Sequence, residues 1–325
     1  MNKKHIAVVM GGYSSEFEIS LGSGGVVCEF LDTNKYFIYP IHILKEGWNY
    51  ISPEGEKYTI NKGDFSFSNG NETIIPDAVF NTIHGTPGED GYLQAYLSLI
   101  GIPQTSSEFY QAALSFNKRD CLSVLKGFGV ICASSFYINQ DESYSKSEIL
   151  KTVGLPCFVK PNRAGSSFGI SKVYEKGELD LAIKKAFKED SEIIIEKAIE
   201  GVEVSVGVFN NQEEIIVLPL TEIVSETDFF DYEAKYLGKS DEITPARISE
   251  TEAEIIRTET KRIYKLLNMK GVTRSEFIIQ DGVPYFLEIN TNPGISKESI
   301  IPKQVKEFGL TLTAFFDILI QNVLK

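Results

Sequence analysis

Two apolar runs between Arg274 and Gly294 meet at Gln280-Asp281-Gly282 and carry Arg274, Glu276, Glu288 and Asn290 in alternation before ending in Thr291-Asn292-Pro293-Gly294. Strand side chains alternate faces, so this pattern holds the segment to a hairpin in which a one-residue slip sends a whole set to the other side. Arg274 and Glu276 share one face, and Glu288 and Asn290 share one face; the connector decides whether the two coincide. A two-residue Asp281-Gly282 turn pairs Glu276 with Leu287 and separates the carboxylates. A three-residue loop with Gly282 left-handed pairs Glu276 with Phe286 and Arg274 with Glu288. Only the second register makes a site, and the three-residue loop is the expectation. Two carboxylates and an amide on one face suit a hard ion such as Mg²⁺, which takes one or two carboxylates and borrows the rest from water and substrate phosphates. The same residues also describe an ordinary solvated strand face with a cross-strand Arg/Glu pair.

The chain has 325 residues, 42% of them hydrophobic, enough for two or three domains with ample cores. Lys and Arg total 32 against 45 Asp and Glu, a net charge of -13, so no sequence-wide cationic field exists for nucleic acid or an anionic membrane. Cys28, Cys121, Cys132 and Cys157 lie far apart without a C-x-x-C pair, which signals neither a zinc cluster nor a disulfide scaffold and fits a reducing cytoplasm. Lys3 and Lys4 precede an apolar run too short for a signal sequence, better read as a first strand. No apolar segment approaches the ~20 residues of a membrane span. A soluble, cytoplasmic protein is expected.

Periodicity predicts strands at 6–10, 37–43 and 78–83, helices at 19–31 and 93–100, and an open α/β unit over the first hundred or so residues. The Gly and Ser content of 19–31 should let that helix pack closely. A helix over 115–127 is predicted, started by Ser115 or Asn117. A strand at 157–160, a Gly/Ser-rich loop and a strand at 170–173 read as a hairpin with a long tip, followed by a helix at 177–187 and a strand at 192–196. Strands at 204–209 and 215–219, a polar stretch, a helix at 249–267, the opening hairpin and a helix near 310–323 complete the chain. The expected divisions are 1–114, 115–199 and 200–325.

In Lys160-Pro161-Asn162-Arg163-Ala164-Gly165-Ser166-Ser167-Phe168-Gly169, a strand-end lysine precedes small residues whose backbone N–H groups can approach phosphate oxygens. By default such a loop is only a hairpin tip. It is no Walker A loop, and the fragment Gly238-Lys239-Ser240 has Glu233 where the first glycine should be. Glu196-Lys197-Ala198-Ile199, past a strand, could offer backbone groups to an adenine edge, with Glu203 for ribose hydroxyls; a charged strand end is the plainer account. Gly11-Gly12-Tyr13-Ser14-Ser15-Glu16 follows the first strand without the G-x-G-x-x-G fingerprint of a dinucleotide site. His84-Gly85 and Gly88-Glu89-Asp90-Gly91 follow another strand, the usual place for a ligand loop in an open α/β sheet. Asp231-Tyr232-Glu233-Ala234-Lys235-Tyr236 lies in a long polar connection and reads as a lid.

Taken in order, these segments resemble the D-alanine-D-alanine ligases, an ATP-grasp family, over nearly the whole chain. The carrying motifs are Gly11-Gly12-Tyr13-Ser14-Ser15-Glu16 with Glu18-Ile19-Ser20, His84-Gly85 with Gly88-Glu89-Asp90-Gly91, Lys160-Pro161 with Gly165-Ser166-Ser167, Asp231 to Tyr236, and Glu288-Ile289-Asn290-Thr291-Asn292-Pro293-Gly294. The resemblance implies an α/β, three-domain ATP-grasp architecture, with an N-terminal open α/β domain and nucleotide bound between the central and C-terminal domains. It implies that a D-alanine carboxylate attacks the γ-phosphate of ATP, and that the amine of a second D-alanine displaces phosphate from the acyl phosphate, making a peptidoglycan precursor. Lys118, Lys160 and Lys235 would then contact phosphates, and Glu276, Glu288 and Asn290 would hold two Mg²⁺, with Mn²⁺ as an alternative. Glu196, Lys197, Ile199 and Glu203 would line the adenosine pocket. Arg274 and the Gly294 N–H would form the oxyanion hole, Glu16 and His84 would orient the first D-alanine, and Ser299 and Ile300 would seat the second one's carboxylate. Glu16, Ser166 and Tyr236 would lock the lid, and the chain would form a homodimer. Two departures stand out: Glu276 replaces the family's usual aspartate, and Ala164 stands where glutamate is common. D-lactate or D-serine as second substrate is the alternative, with Tyr236 favouring the dipeptide; a non-catalytic ATP-binding module would be expected to lose the metal carboxylates.

Overall fold

The apolar run after Lys4 forms the middle of strand β1 (Lys4–Gly11), whose core residues Ile6, Ala7, Val8 and Val9 are wholly buried because both faces of the strand are covered. In the computed structural model, which describes residues 3–165, 168–225 and 240–324, β1 is followed by α1 (Phe17–Phe30), β2 (Tyr36–Leu44), β3 (Gly47–Ile51) and β4 (Lys57–Thr59). Then come the short pair β5 (Phe67–Ser68) and β6 (Thr73–Ile74), β7 (Ala78–Asn81) and α2 (Tyr92–Leu99). The sheet order is β4-β3-β2-β1-β7, with β1 parallel to both β2 and β7. The loops leaving β1 and β7 therefore emerge side by side at the same edge, where Tyr13 N–H donates to the Thr86 carbonyl at 2.7 Å. A Cβ on Gly24 would lie 2.6 Å from Met10 Cε, so glycine is what lets α1 rest on β1.

The helix expected over 115–127 is α4 (Lys118–Gly127), started at Asn117, and a separate helix α3 (Phe109–Phe116) precedes it. Asn117 separates them because its side chain accepts the Asp120 N–H at 3.0 Å and caps α4. Strand β8 (Ser135–Asn139), α5 (Lys146–Val153), β9 (Cys157–Pro161), β10 (Ser171–Val173), α6 (Leu179–Ala186) and β11 (Glu192–Lys197) follow. They build a sheet of order β10-β9-β11-β8, in which β9 and β10 pair antiparallel as the hairpin expectation requires. One face carries its own core of Ile138, Val159, Ile183 and Ile195 under α5 and α6.

Strands β12 (Val202–Asn211), β13 (Glu214–Val217), β14 (Thr221–Ser225) and β15 (Ser240–Ile243) precede α7 (Glu250–Leu266), which opens with a Ser249/Glu252 capping box. Then come β16 (Thr273–Gln280), β17 (Val283–Asn290), α8 (Ile300–Glu307) and α9 (Leu312–Gln321). The sheet order is β15-β14-β12-β16-β17, with β13 paired to β12. On α9, Phe316 meets Phe80 of β7 edge-on at 5.5 Å, so one core joins the first sheet to the last. Among the described residues, no helix is long and apolar enough to cross a membrane.

The β16–β17 connector is not the expected three-residue loop. Gln280 pairs with Val283, and Asp281 (φ 52°) and Gly282 (φ 74°) alone make the turn, both left-handed as a type I′ hairpin demands. The carboxylates still share a face, for a different reason. The register shifts between Phe277, which pairs with Phe286, and Glu276, which pairs with Glu288, leaving Leu287 as the extra residue of a bulge. Phe286 and Ile289 are both buried in the same core, an odd spacing that an unbroken strand cannot place on one side, and the bulge reconciles them. Arg274 consequently faces Asn290, not Glu288.

Candidate active site

A cavity of about 120 Å³ is lined from both the four-stranded sheet and the sheet that ends in β17. Its walls include Lys118 at the start of α4, Lys160 of β9, Glu196 and Lys197 of β11, Ile199, Glu203 of β12, Glu276 of β16 and Glu288 of β17. These are the described residues expected at nucleotide and metal, apart from Asn290. Strand alternation explains the convergence: Val159 turns into the core beneath α6, so Phe158 and Lys160 face the other way. Lys160 Nζ lies 2.9 Å from Glu196 Oε2, and Lys118 Nζ lies 3.2 Å from Glu288 Oε2 and 2.8 Å from the Ala164 carbonyl. Burial opposes the charge on Lys160, but Glu196, with Glu288 and Glu203 behind it, outweighs burial and raises its pKa above the usual lysine range.

The residues present fit a hard cation. Glu276 and Glu288 are direct cross-strand partners, and Arg274 Nε holds Glu276 Oε1 at 2.7 Å. Asn290 has a buried amide nitrogen with no hydrogen-bond partner among the described residues; an amide flip presents its oxygen at the same point. Two carboxylates and an amide oxygen match the oxygen preference of Mg²⁺.

A second group gathers where the β1 and β7 loops meet the segment after β17. A Cβ on Gly165 would lie 2.6 Å from Glu16 Oε2, which places the Glu16 carboxylate directly against the Gly/Ser loop. His84 is buried, with Nε2 3.2 Å from Ser23 Oγ; burial lowers its pKa, Glu16 works against this and Arg274 with it. Glu89 accepts the Gly85 N–H at 2.7 Å and is pushed up to about 8, first by burial and then by Glu16. Asn292 Nδ2 donates to the Ile83 and Gly88 carbonyls, fastening the loop after β17 to the first sheet. Gly294 faces Ser299, whose Oγ pairs with Ser296 Oγ at 2.7 Å and makes no side-chain cap to α8. Ile300 is buried, so only its backbone, in the first turn of α8, could meet a ligand.

Ser166, Lys235 and Tyr236 lie outside the described residues. The cavity walls missed from the sequence are Ala133, Phe158, Ile170, Ile278 and Leu287. Two carried a signal, since Phe158 alternates with Lys160 and Ile278 with Glu276; the others are apolar residues like many in the chain. A larger cleft of about 1060 Å³, near the end of α7, contains none of the expected site residues, and its Lys4–Asp77 and Lys270–Glu108 pairs satisfy each other. The free thiols Cys28, Cys121 and Cys132 are each pushed up to about 12 by burial, unsuited to nucleophilic work.

Residues 5–107 match the family profile described as D-ala D-ala ligase N-terminus, and residues 124–321 match that described as D-ala D-ala ligase C-terminus. The chain belongs to the D-alanine-D-alanine ligase family. Within this family, a D-alanine-D-alanine ligase of Flavobacterium johnsoniae is 58% identical over 313 residues, covering 96% of this chain and 97% of that protein. A D-Ala:D-Ser ligase structure from Enterococcus faecalis superposes with a TM-score of 0.88 at 35% identity, covering 99% of each chain. A D-alanine-D-alanine ligase from Bacillus anthracis, complexed with ATP, superposes with a TM-score of 0.79 at 27% identity, covering 98% of this chain and 97% of that one. The α/β fold of this family member is the ATP-grasp fold that its motifs implied.

Proposed function

We propose that this chain is an ATP-dependent ligase that joins two D-alanines into D-alanyl-D-alanine through an acyl phosphate, for peptidoglycan precursor synthesis. The observation that carries the reading is the cavity that gathers Lys118, Lys160, Glu196, Lys197, Ile199, Glu203, Glu276 and Glu288 from separate elements. Lys118 and Lys160 meet the phosphates of ATP; Glu196, Lys197, Ile199 and Glu203 receive adenine and ribose. Glu276, Glu288 and Asn290 would hold two Mg²⁺, or Mn²⁺, which neutralise charge on the phosphate oxygens. Glu16 takes the ammonium of the first D-alanine while His84 sets its orientation. Its carboxylate oxygen attacks the γ-phosphorus and ADP leaves. The amine of the second D-alanine then attacks the acyl carbon, and Arg274 with the Gly294 N–H stabilises the tetrahedral oxyanion before phosphate departs. Ser299 and the N-terminal backbone of α8 receive the second carboxylate, where a helix N-terminus favours an anion. Lys235 is a further phosphate contact, and Ser166 and Tyr236, with Glu16, close the lid that keeps water from the acyl phosphate.

The three units 1–114, 115–199 and 200–325, a cytoplasmic location and a homodimer belong to the same reading. The 58% identity to a D-alanine-D-alanine ligase over 96% of this chain supports D-alanine as second substrate. A competition assay offering D-alanine, D-serine and D-lactate with ATP and Mg²⁺ across pH tests it. D-alanyl-D-alanine should dominate; a mainly D-serine or D-lactate product would overturn the choice of second substrate.

A further inference from the structure

Ser23 lies within α1, fully buried, between two parts of the site. Its Oγ is 3.2 Å from His84 Nε2 and accepts the Ile295 N–H at 3.4 Å. A serine hydroxyl has one proton to give, and a buried hydroxyl left without an acceptor is costly. The Ile295 amide is itself a donor, so His84 Nε2 is the acceptor to which the Ser23 proton goes. Nε2 must then be unprotonated, and in the neutral ring the proton sits on Nδ1. The Asn292 backbone also acts on the imidazole, in the sense that favours its protonation. The ring thus spans from α1 to the loop that carries Gly294.

We propose that Ser23 is a positioning residue, which fixes His84 as the Nδ1–H tautomer and, through the Ile295 amide, anchors to α1 the peptide that follows Gly294. With Nε2 engaged by Ser23, His84 orients the first substrate without exchanging a proton at that nitrogen. The Gly294 N–H owes its aim to a helix on the opposite side of the site. The catalytic consequence rests on the ligase reading; the tautomer does not.

The chain has only three histidines, His5, His42 and His84, so the ring nitrogens can be resolved by NMR of protein labelled with ¹⁵N-histidine. The His84 signals are assigned by their loss in His84→Asn. The wild-type protein should show His84 as the Nδ1–H tautomer; an Nε2–H tautomer overturns the proposal. That measurement needs no turnover and no Ser23 variant, so it decides the point even where the Ser23 variants fail to fold or the ligase reading fails. In Ser23→Ala the single tautomer should be lost and kcat should fall on the order of tenfold with the KM for ATP unchanged, the mark of lost alignment near the acyl centre. Ser23→Thr, which keeps the hydroxyl, should recover most of that loss. An unchanged tautomer and kcat in folded Ser23→Ala, or equal losses in both variants with a raised KM for ATP, would refute a positioning role.

Discussion

At the scale of single residues, Arg274 and Glu89 carry consequences that can be measured. Arg274 is bonded to Glu276 at 2.7 Å, and its side chain is only 17% exposed, so it acts in a partly desolvated place where a donor to an oxyanion counts most. Arg274→Ala should lower kcat about 10²-fold or more, the scale of removing an oxyanion donor; a near-normal kcat would remove it from the mechanism. Glu89 stands in one of the motifs that carry the resemblance, buried and bonded to the Gly85 N–H. Its folded pKa is raised from 4.5 to about 8, so the native state binds the proton more tightly than the unfolded chain. Its stabilising contribution is full below pH 4.5 and is lost as the pH rises toward 8. Glu89→Gln cannot lose it, so the variant should gain stability relative to wild type across that window in urea titrations. Parallel curves for the two proteins would show that Glu89 does not titrate there. The charged residues of the site were legible through the ordered motifs that carry the family resemblance, since each segment alone also reads as a charged strand end or a solvated strand face. Ala133, Ile170 and Leu287 were not, since an apolar cavity wall and an apolar core look alike in sequence.

At the scale of elements, the β16–β17 hairpin shows how far alternation can be trusted. Both strands, their apolar faces and the shared face of Glu276 and Glu288 followed from the sequence, while the turn and the pairing did not. Asp281-Gly282 forms the two-residue turn that its residue types favour, and the bulge at Leu287 restores the site further along. The cue was present in the spacing of Phe286 and Ile289, three apart and both in one core, where an uninterrupted strand would turn them to opposite faces. Deleting Leu287 removes the extra residue and leaves Glu288 opposite Glu276 and Asn290 opposite Arg274 in an unbroken ladder, so a folded deletion variant should keep kcat within about tenfold of wild type. A folded deletion variant whose kcat falls by more than about 10²-fold would contradict the register as what sets the site. The short strands β3 to β6 escaped the sequence reading because they are brief and interrupted by polar turns. The helix expected at 115–127 starts at Asn117, the second of its two expected starts, because that side chain caps α4.

At the scale of the whole molecule, the site lies where separately built parts meet. The first sheet and helices α8 and α9 share a core through Phe80, Ile301 and Phe316, while the four-stranded sheet keeps one of its own. The cavity proposed for the nucleotide falls between that sheet and the sheet ending in β17, and the Glu16–His84 group falls between the first sheet and the loop after β17. The motifs named these segments in order along the chain; only folding shows that the cavity is walled by two sheets and that Asn292 reaches back to Gly88. The chemistry proposed needs both places at once, because phosphate must pass from ATP to one substrate before the second attacks. The most direct test is to supply purified protein with ATP, Mg²⁺ and D-alanine and to quantify phosphate and D-alanyl-D-alanine in the same reaction. Equal amounts of the two products are expected, both lost together in Glu288→Gln; phosphate without dipeptide, or no turnover of D-alanine, would contradict the ligase reading.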